Sequence, residues 1–293
     1  MRITQQTIAS SSLANLQASL ARGARLQEHL TSGKVINKAS DSPAGTVSVL
    51  ALQSEISANE QYESNANDGK SWLAQADSKL QAVNDLLMKV NELTLQASST
   101  GNMEPSARAA IATQVTGLRG ELMQLANSSD SGRSVFAGTS ATPMAFDPVT
   151  YDYQGDAGEI TRRLDARTTM AVNVSGPAVF GSGGSSVFAL LDRIATNARS
   201  NPSGLEADLG SLKASMASVL TNLTDVGGRT NRIEAAVLSA QDRVLSLRST
   251  LSAVEDIDLP KTILDLQTHD TAHQAALAAT AKVLSPTLMD FLR

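Results

Sequence analysis

Three observations predict a mainly α fold, an elongated antiparallel coiled-coil or helix-bundle rod with a small β-rich insertion and terminal helices that pair on assembly. From Leu205 to Val254, Leu205, Leu209, Leu212, Met216, Val219, Leu223, Val226, Thr230, Ile233, Val237, Ala240, Val244, Leu247, Leu251 and Val254 recur in steps of four and three without a slip. A heptad stripe of that length demands partner helices along it, and at about 1.5 Å per residue the segment is roughly 75 Å long. Aromatic residues make up only 3% of the chain, which suits slim interhelical seams better than a thick centre. Between Gly132 and Gly184 the stripe vanishes, and the chain gathers eight glycines, three prolines and five of its nine aromatics.

The first helix carries Leu13, Leu16, Leu20, Gly23, Gln27 and Leu30 at heptad spacing and stops at Thr31-Ser32-Gly33, a helix-ending glycine, before a turn through Asp41-Ser42-Pro43. A second runs from about Ala44 to Ser98 with Leu73, Ala76, Leu80, Val83, Leu87, Val90, Thr94 and Ala97 on one seam, ending before Thr100-Gly101-Asn102. Pro105 suits the first turn of a third helix, whose stripe is Ile111, Val115, Leu118, Leu122 and Leu125. In the glycine-rich segment, Tyr151-Asp152-Tyr153 precedes the turn-like Gly155-Asp156-Ala157-Gly158, and Met170 to Val174 alternates with the period of a half-buried strand. Val187 to Ala198 reads as a short helix. Ser203-Gly204-Leu205-Glu206 has the S-x-x-E form of a capping box for the long helix, and Gly227-Gly228 inside that helix predicts a local bend or break, since each glycine costs about 1 kcal/mol relative to alanine. Pro260 marks a joint, after which Ile263, Leu266, Asp270, His273, Leu277, Thr280, Leu284, Leu288 and Phe291 resume a seam interrupted by Pro286. The organisation is nested: an N-terminal assembly helix (1–43), the first half of the helical rod (44–131), an outer β-rich insertion (132–185), the second half (186–257) and a C-terminal assembly helix (258–293).

Charge points the same way. Up to Lys38 the bases Arg2, Arg22, Arg25, Lys34 and Lys38 face the single acid Glu28, whereas from Glu255 onward six acids face three bases, so the two ends attract. The net charge of −5 and the absence of a basic cluster exclude a general nucleic-acid binder. With no cysteine there is no disulfide framework, thiolate metal site or cysteine nucleophile. The start carries no apolar signal-peptide core and no stretch is long and apolar enough to span a bilayer, so neither Sec-type secretion nor membrane insertion is expected.

No catalytic, cofactor or metal site is expected. His269 and His273 stand one turn apart around Asp270, a spacing that could hold a divalent ion, but no third ligand accompanies them, and His273 reads instead as a polar seam residue. The sequence lacks H-E-x-x-H, the phosphate-loop string and the G-x-S-x-G elbow. Gly181, Gly183 and Gly184 read as linker, Trp72 as a packing anchor and His29 as a surface residue.

Subunit contact is the alternative to chemistry. Burying Leu13, Leu16, Leu20 and Leu30 returns about 1.5–3 kcal/mol each, against a backbone entropy cost of about 1–2 kcal/mol for each of some thirty ordered residues. The ends are therefore expected to order only when neighbouring molecules cover their remaining faces. Leu13, Leu16, Leu20, Leu277, Leu284, Leu288 and Phe291 are the expected contact residues, with Arg22, Arg25, Asp265 and Asp290 matching charge.

Four segments carry a resemblance: Met1-Arg2-Ile3-Thr4; Ser32-Gly33-Lys34-Val35-Ile36-Asn37 followed by Ser40-Asp41-Ser42-Pro43; Gly132-Arg133-Ser134-Val135-Phe136-Ala137-Gly138; and Leu288-Met289-Asp290-Phe291-Leu292. In this order, and with the nested organisation, they resemble the flagellin superfamily. Where such chains more often carry Asp-Asp-Ala-Ala-Gly, this one has Asp41-Ser42-Pro43-Ala44-Gly45. The resemblance implies an extracellular structural protein of the bacterial flagellum, placed at the junction between hook-associated ring and flagellin filament. It implies export without a cleavable signal peptide through the flagellar type III apparatus, an export chaperone, self-association into a ring, and the first hook-associated protein and flagellin as neighbours. The other readings are a flagellin filament subunit and, from a different class, a cytoplasmic coiled-coil signalling or adaptor protein.

Overall fold

The computed structural model describes residues 5–98, 104–130 and 132–284. It is mainly helical: α1 (Gln5–Ser32), α2 (Pro43–Ser98) and α3 (Pro105–Ala126) are followed by two antiparallel hairpins, β1 (Ser129–Asp130) with β2 (Arg133–Ser134) and β3 (Thr161–Arg163) with β4 (Thr169–Ala171). Then come α4 (Gly176–Phe180), α5 (Val187–Ser200), α6 (Leu205–Glu255) and α7 (Leu259–Leu284). The expected turn at Thr100-Gly101-Asn102 lies outside the described residues. The chain divides into two compact units, one of Asn59–Asp242 and one of Met1–Ala58 with Arg243–Arg293.

In the unit Asn59–Asp242, the heptads of α2 and α6 become the core. Leu205, Leu212, Val219, Val226 and Ile233, one residue in every seven, are all buried on α6, while the alternate positions Leu209, Met216, Leu223, Thr230 and Val237 are half-buried. On α2, Leu73, Ala76, Leu80, Val83, Leu87, Val90, Thr94 and Ala97 are buried without exception. α6 passes through Gly227-Gly228 without the expected break, and Val226 and Ile233 are buried on either side of the pair. Nor does Ser203 cap α6. Residues Pro202–Gly204 form a 3₁₀ turn, and the Ser203 hydroxyl donates to Asn201 Oδ1 (2.7 Å) instead.

The insertion holds fewer strands than its composition suggests. Tyr153 makes only a single bridge with Phe146, and the space between the short hairpins is filled by an aromatic cluster in which Phe136 and Phe180 lie 5.2 Å apart and Phe146 and Phe188 5.4 Å apart. The β3–β4 hairpin seats on the helices at Gly69, where a Cβ would come within 3.0 Å of Val172 and 3.1 Å of Ile233. It is pinned there by the Arg162–Asp68 ion pair (2.5 Å) and by Asn65 donating to the Arg163 carbonyl (3.2 Å). Tyr151, held at a φ of 61°, donates its phenol to Asp192 (2.5 Å) while Arg119 binds both; burial first, and then the Asp192 carboxylate, pushes the phenol's pKa up. Trp72 packs half-buried against this core, with the Arg133 guanidinium 6.0 Å above its ring.

Candidate assembly surface

The unit containing both ends has a thin core. Among its described residues the buried apolar side chains are Val49, Ile56, Val244 and Leu247. It also carries ten of the sixteen large apolar side chains exposed among the described residues of the chain: Leu13, Leu20, Val35, Val47, Leu50, Leu245, Leu259, Ile263, Leu264 and Leu277. Among the described residues this unit thus exposes more large apolar side chains than it buries.

Two joints lead into the terminal helices, and they are tied to each other. α1 ends on Gly33, at a φ of +73° that suits glycine, whose amide donates to the His29 carbonyl (2.8 Å). Val35 N–H then donates to the Glu255 carbonyl (2.7 Å) and Ile257 N–H to the Gly33 carbonyl (3.0 Å), so Lys34 and Asp256 face each other as one antiparallel bridge. The Lys34 ammonium sits 2.5 Å from the Glu255 carboxylate, whose side chain is only 8% exposed. On the N-terminal joint, Asp41 accepts from the amides of Lys38 (2.9 Å) and Asn37 (3.1 Å), bonds that hold its carboxyl below the usual carboxylate range. Lys38 pairs with Glu28 (2.8 Å), which raises the lysine's pKa. Asp258 opens α7 by accepting from the Lys261 amide (3.2 Å).

From this clasp α1 and α7 run antiparallel. The facing stripe on α1 is Ser12, Leu16, Ser19, Gly23, Leu26 and Leu30; on α7 it is Thr262, Leu266, His269, His273 and Thr280. On α1 this is the expected seam with Leu13, Leu20 and Gln27 exchanged for Ser12, Ser19 and Leu26; on α7 Thr262 and His269 replace Ile263 and Asp270, and Leu277 drops out. Leu13 and Leu20 stay 60% and 59% exposed, Ile263 and Leu277 42% and 47%, so the pairing inside one chain does not bury them as the sequence suggested. At the buried face the His269 ring lies over Gly23, where a Cβ would meet Cε1 at 2.8 Å, and its Nε2 is 2.9 Å from the Ser19 carbonyl. Between the helices runs a groove of about 950 Å³ lined by Leu16, Arg22, Arg25, His29 and Asp265 among others.

Of the expected contact residues, Leu16 is thus half-buried in the seam, Leu13, Leu20 and Leu277 face solvent, and Arg22, Arg25 and Asp265 edge one groove. Leu284 closes α7, and Leu288, Asp290, Phe291 and Pro286 lie outside the described residues. Sequence reasoning found His273 as a polar seam residue and missed Ser19, His269 and the Lys34–Glu255 pair. The opposite charges of the two ends were the available sign of that pair. Among the described residues no cluster of three or more metal-ligating side chains occurs, and no helix is long and apolar enough to cross a membrane.

Comparison with known proteins adds the following. Residues 3–141 match the family model of the bacterial flagellin N-terminal helical region. The chain is 27% identical over 304 residues to flagellar hook-associated protein 3 of Escherichia coli (strain K12), covering 95% of this chain and 96% of that one. It is 23% identical over 297 residues to a flagellin of Bacillus subtilis (strain 168), covering 96% of each. Among solved structures, flagellar hook-associated protein 3 from Legionella pneumophila superposes with a TM-score of 0.65 at 16% identity, over 70% of this chain and 98% of that one, a likeness of fold.

Proposed function

The chain belongs to the flagellin superfamily, and from that premise we propose that it is a structural subunit of the bacterial flagellum standing at the junction between hook and filament. The similarity to hook-associated protein 3 along nearly the whole chain gives the reading its direction. The observation that carries it is the terminal unit, whose described residues leave ten large apolar side chains in water over four buried ones. A surface of that kind is satisfied by neighbours in a lattice rather than by a substrate. Leu13, Leu20 and Leu277 supply contact area, together with Leu284, Leu288 and Phe291. Arg22, Arg25, Asp265 and Asp290 set register more than strength, since exposed ion pairs contribute about 0–1 kcal/mol each. In this role the protein works outside the cell, having been exported unfolded with the help of a chaperone. It forms a ring between the first hook-associated protein and flagellin, and its function is adhesive rather than catalytic.

The test is a strain lacking the protein, complemented with the Leu13→Asp, Leu20→Asp double variant. Electron microscopy should find hooks without filaments and flagellin released to the medium, while the Asn59–Asp242 unit of the purified variant keeps its unfolding transition. Normal filaments on that variant would refute the assignment. The purified unmodified chain should stay monomeric until offered a flagellar end; polymerisation by itself would favour a filament subunit.

A further inference from the structure

We propose that Ser19, Gly23, His269 and His273 form a notch that dictates which face of α1 meets α7, and thereby keeps Leu13, Leu20 and Leu277 turned outward. α1 offers its partner two stripes that share Leu16, Gly23 and Leu30. One is completed by Leu13, Leu20 and Gln27, the other by Ser12, Ser19 and Leu26. Counting apolar burial alone, two leucines against one favour the first. The structure takes the second.

The notch explains why. The imidazole of His269 fits flat over the one position on α1 with no side chain, Gly23, where a Cβ would approach its Cε1 to 2.8 Å and Nδ1 to 3.2 Å. Its Nε2 lies 2.9 Å from the Ser19 carbonyl; a carbonyl only accepts, so that nitrogen carries the hydrogen. The Ser19 hydroxyl sits between the two rings, 3.2 Å from His269 Nε2 and 3.1 Å from His273 Nδ1, and the rings lie nearly parallel with centroids 6.0 Å apart. Rolling α1 to bring Leu13 and Leu20 inward would pull Ser19 from between the imidazoles and set leucine against polar groups left without partners, a cost out of proportion to any single hydrogen bond gained. Sliding instead of rolling is blocked by the clasp, because the Val35–Glu255 and Gly33–Ile257 bonds continue the same antiparallel register that places Ser19 between His269 and His273. Specificity is here obtained by penalising the alternative. That the outward leucines are thereby reserved for neighbouring molecules rests on the assembly role proposed above; the selection itself does not.

The chain has no cysteine, so disulfide trapping in the full-length protein reads the face directly. Leu26→Cys with Leu266→Cys, both half-buried, reports the observed pairing, and Leu13→Cys with Leu277→Cys, both exposed, reports the alternative. In the otherwise unmodified chain the first pair should close at least about tenfold faster, and adding His269→Leu should invert the preference, a discrimination within reach of a few packing and hydrogen-bond differences. Gly23→Leu should do the same from the other side. His269→Leu leaves the sequence of α1 untouched, so its result stands even if Gly23→Leu disturbs that helix. The proposal is overturned if the Leu13/Leu277 pair closes as fast as the other in the unmodified chain. It is equally overturned if His269→Leu leaves the preference unchanged, or abolishes both cross-links, which would make the notch adhesive but not selective. Any of these results leaves the assembly role intact, because that is decided by filament growth on the Leu13→Asp, Leu20→Asp chain.

Discussion

Replacing Lys34 by methionine should loosen the terminal clasp far more than replacing its partner Glu255 by glutamine. The asymmetry follows from burial. The Glu255 side chain is 8% exposed and the Lys34 side chain 45%, so removing the lysine leaves a carboxylate in a poorly hydrated place, whereas Glu255→Gln leaves an ammonium that can turn to water. Stranding a fully buried charge costs about 3–5 kcal/mol; with Lys34 at the rim, part of that is already solvent-screened, and about 2 kcal/mol is the expected cost of Lys34→Met. Glu255→Gln should cost about 1 kcal/mol or less, and the double variant should recover most of the loss. Hydrogen exchange followed by mass spectrometry reads this at the amides of Val35 and Ile257, the two donors of the clasp. A change of about 2 kcal/mol accelerates their exchange roughly thirtyfold. Equal effects of the two single variants, or unchanged exchange at both amides in Lys34→Met, would refute the reasoning.

Three further outcomes are expected. Leu212→Ala, at a fully buried position of α6, should destabilise the Asn59–Asp242 unit by about 2–5 kcal/mol in urea unfolding. Gly227→Ala and Gly228→Ala should each stabilise the protein by about 0.5–1 kcal/mol in the same assay, since both glycines lie in a continuous helix and nothing stands within 4 Å of the added Cβ. The hydrogen bonds from the Thr139 hydroxyl and amide hold the Asp156 carboxyl below its ordinary 3.8. Its folded value thus lies under the unfolded one, so its contribution is complete above about pH 4–5 and fades as the pH falls through the folded value. An NMR titration of Asp156 should show that depressed midpoint, and Thr139→Ala should move it upward.

What could be seen in the sequence was whatever depends on period. The α6 stripe from Leu205 to Ile233 and the α2 seam from Leu73 to Ala97 became buried faces because a helix turns apolar residues spaced by three and four onto one side whatever they later touch. Pro105 opened α3 for an equally local reason. The terminal seam was legible in type but not in face. Leu13 and Leu20 fit the heptad as well as Ser12 and Ser19 do, and the choice is made by His269, far away in the chain. The capping box at Ser203 failed because Pro202–Gly204 form a 3₁₀ turn ahead of α6, which takes Ser203 out of the N-cap position, and its hydroxyl donates to Asn201 Oδ1. β3 was missed because Thr161-Arg162-Arg163 has no apolar alternation; it is a strand through pairing with Thr169–Ala171, and its arginine stays in place through Asp68.

The bond between Ser19 and His269 joins residues 250 positions apart. Contacts at such separation come late, because the entropy of closing so large a loop has to be met before they return anything. The middle, Asn59–Asp242, holds its own core and can complete it without either end, while the clasp and the notch wait until the two ends have met. The terminal unit is thus the last to take shape.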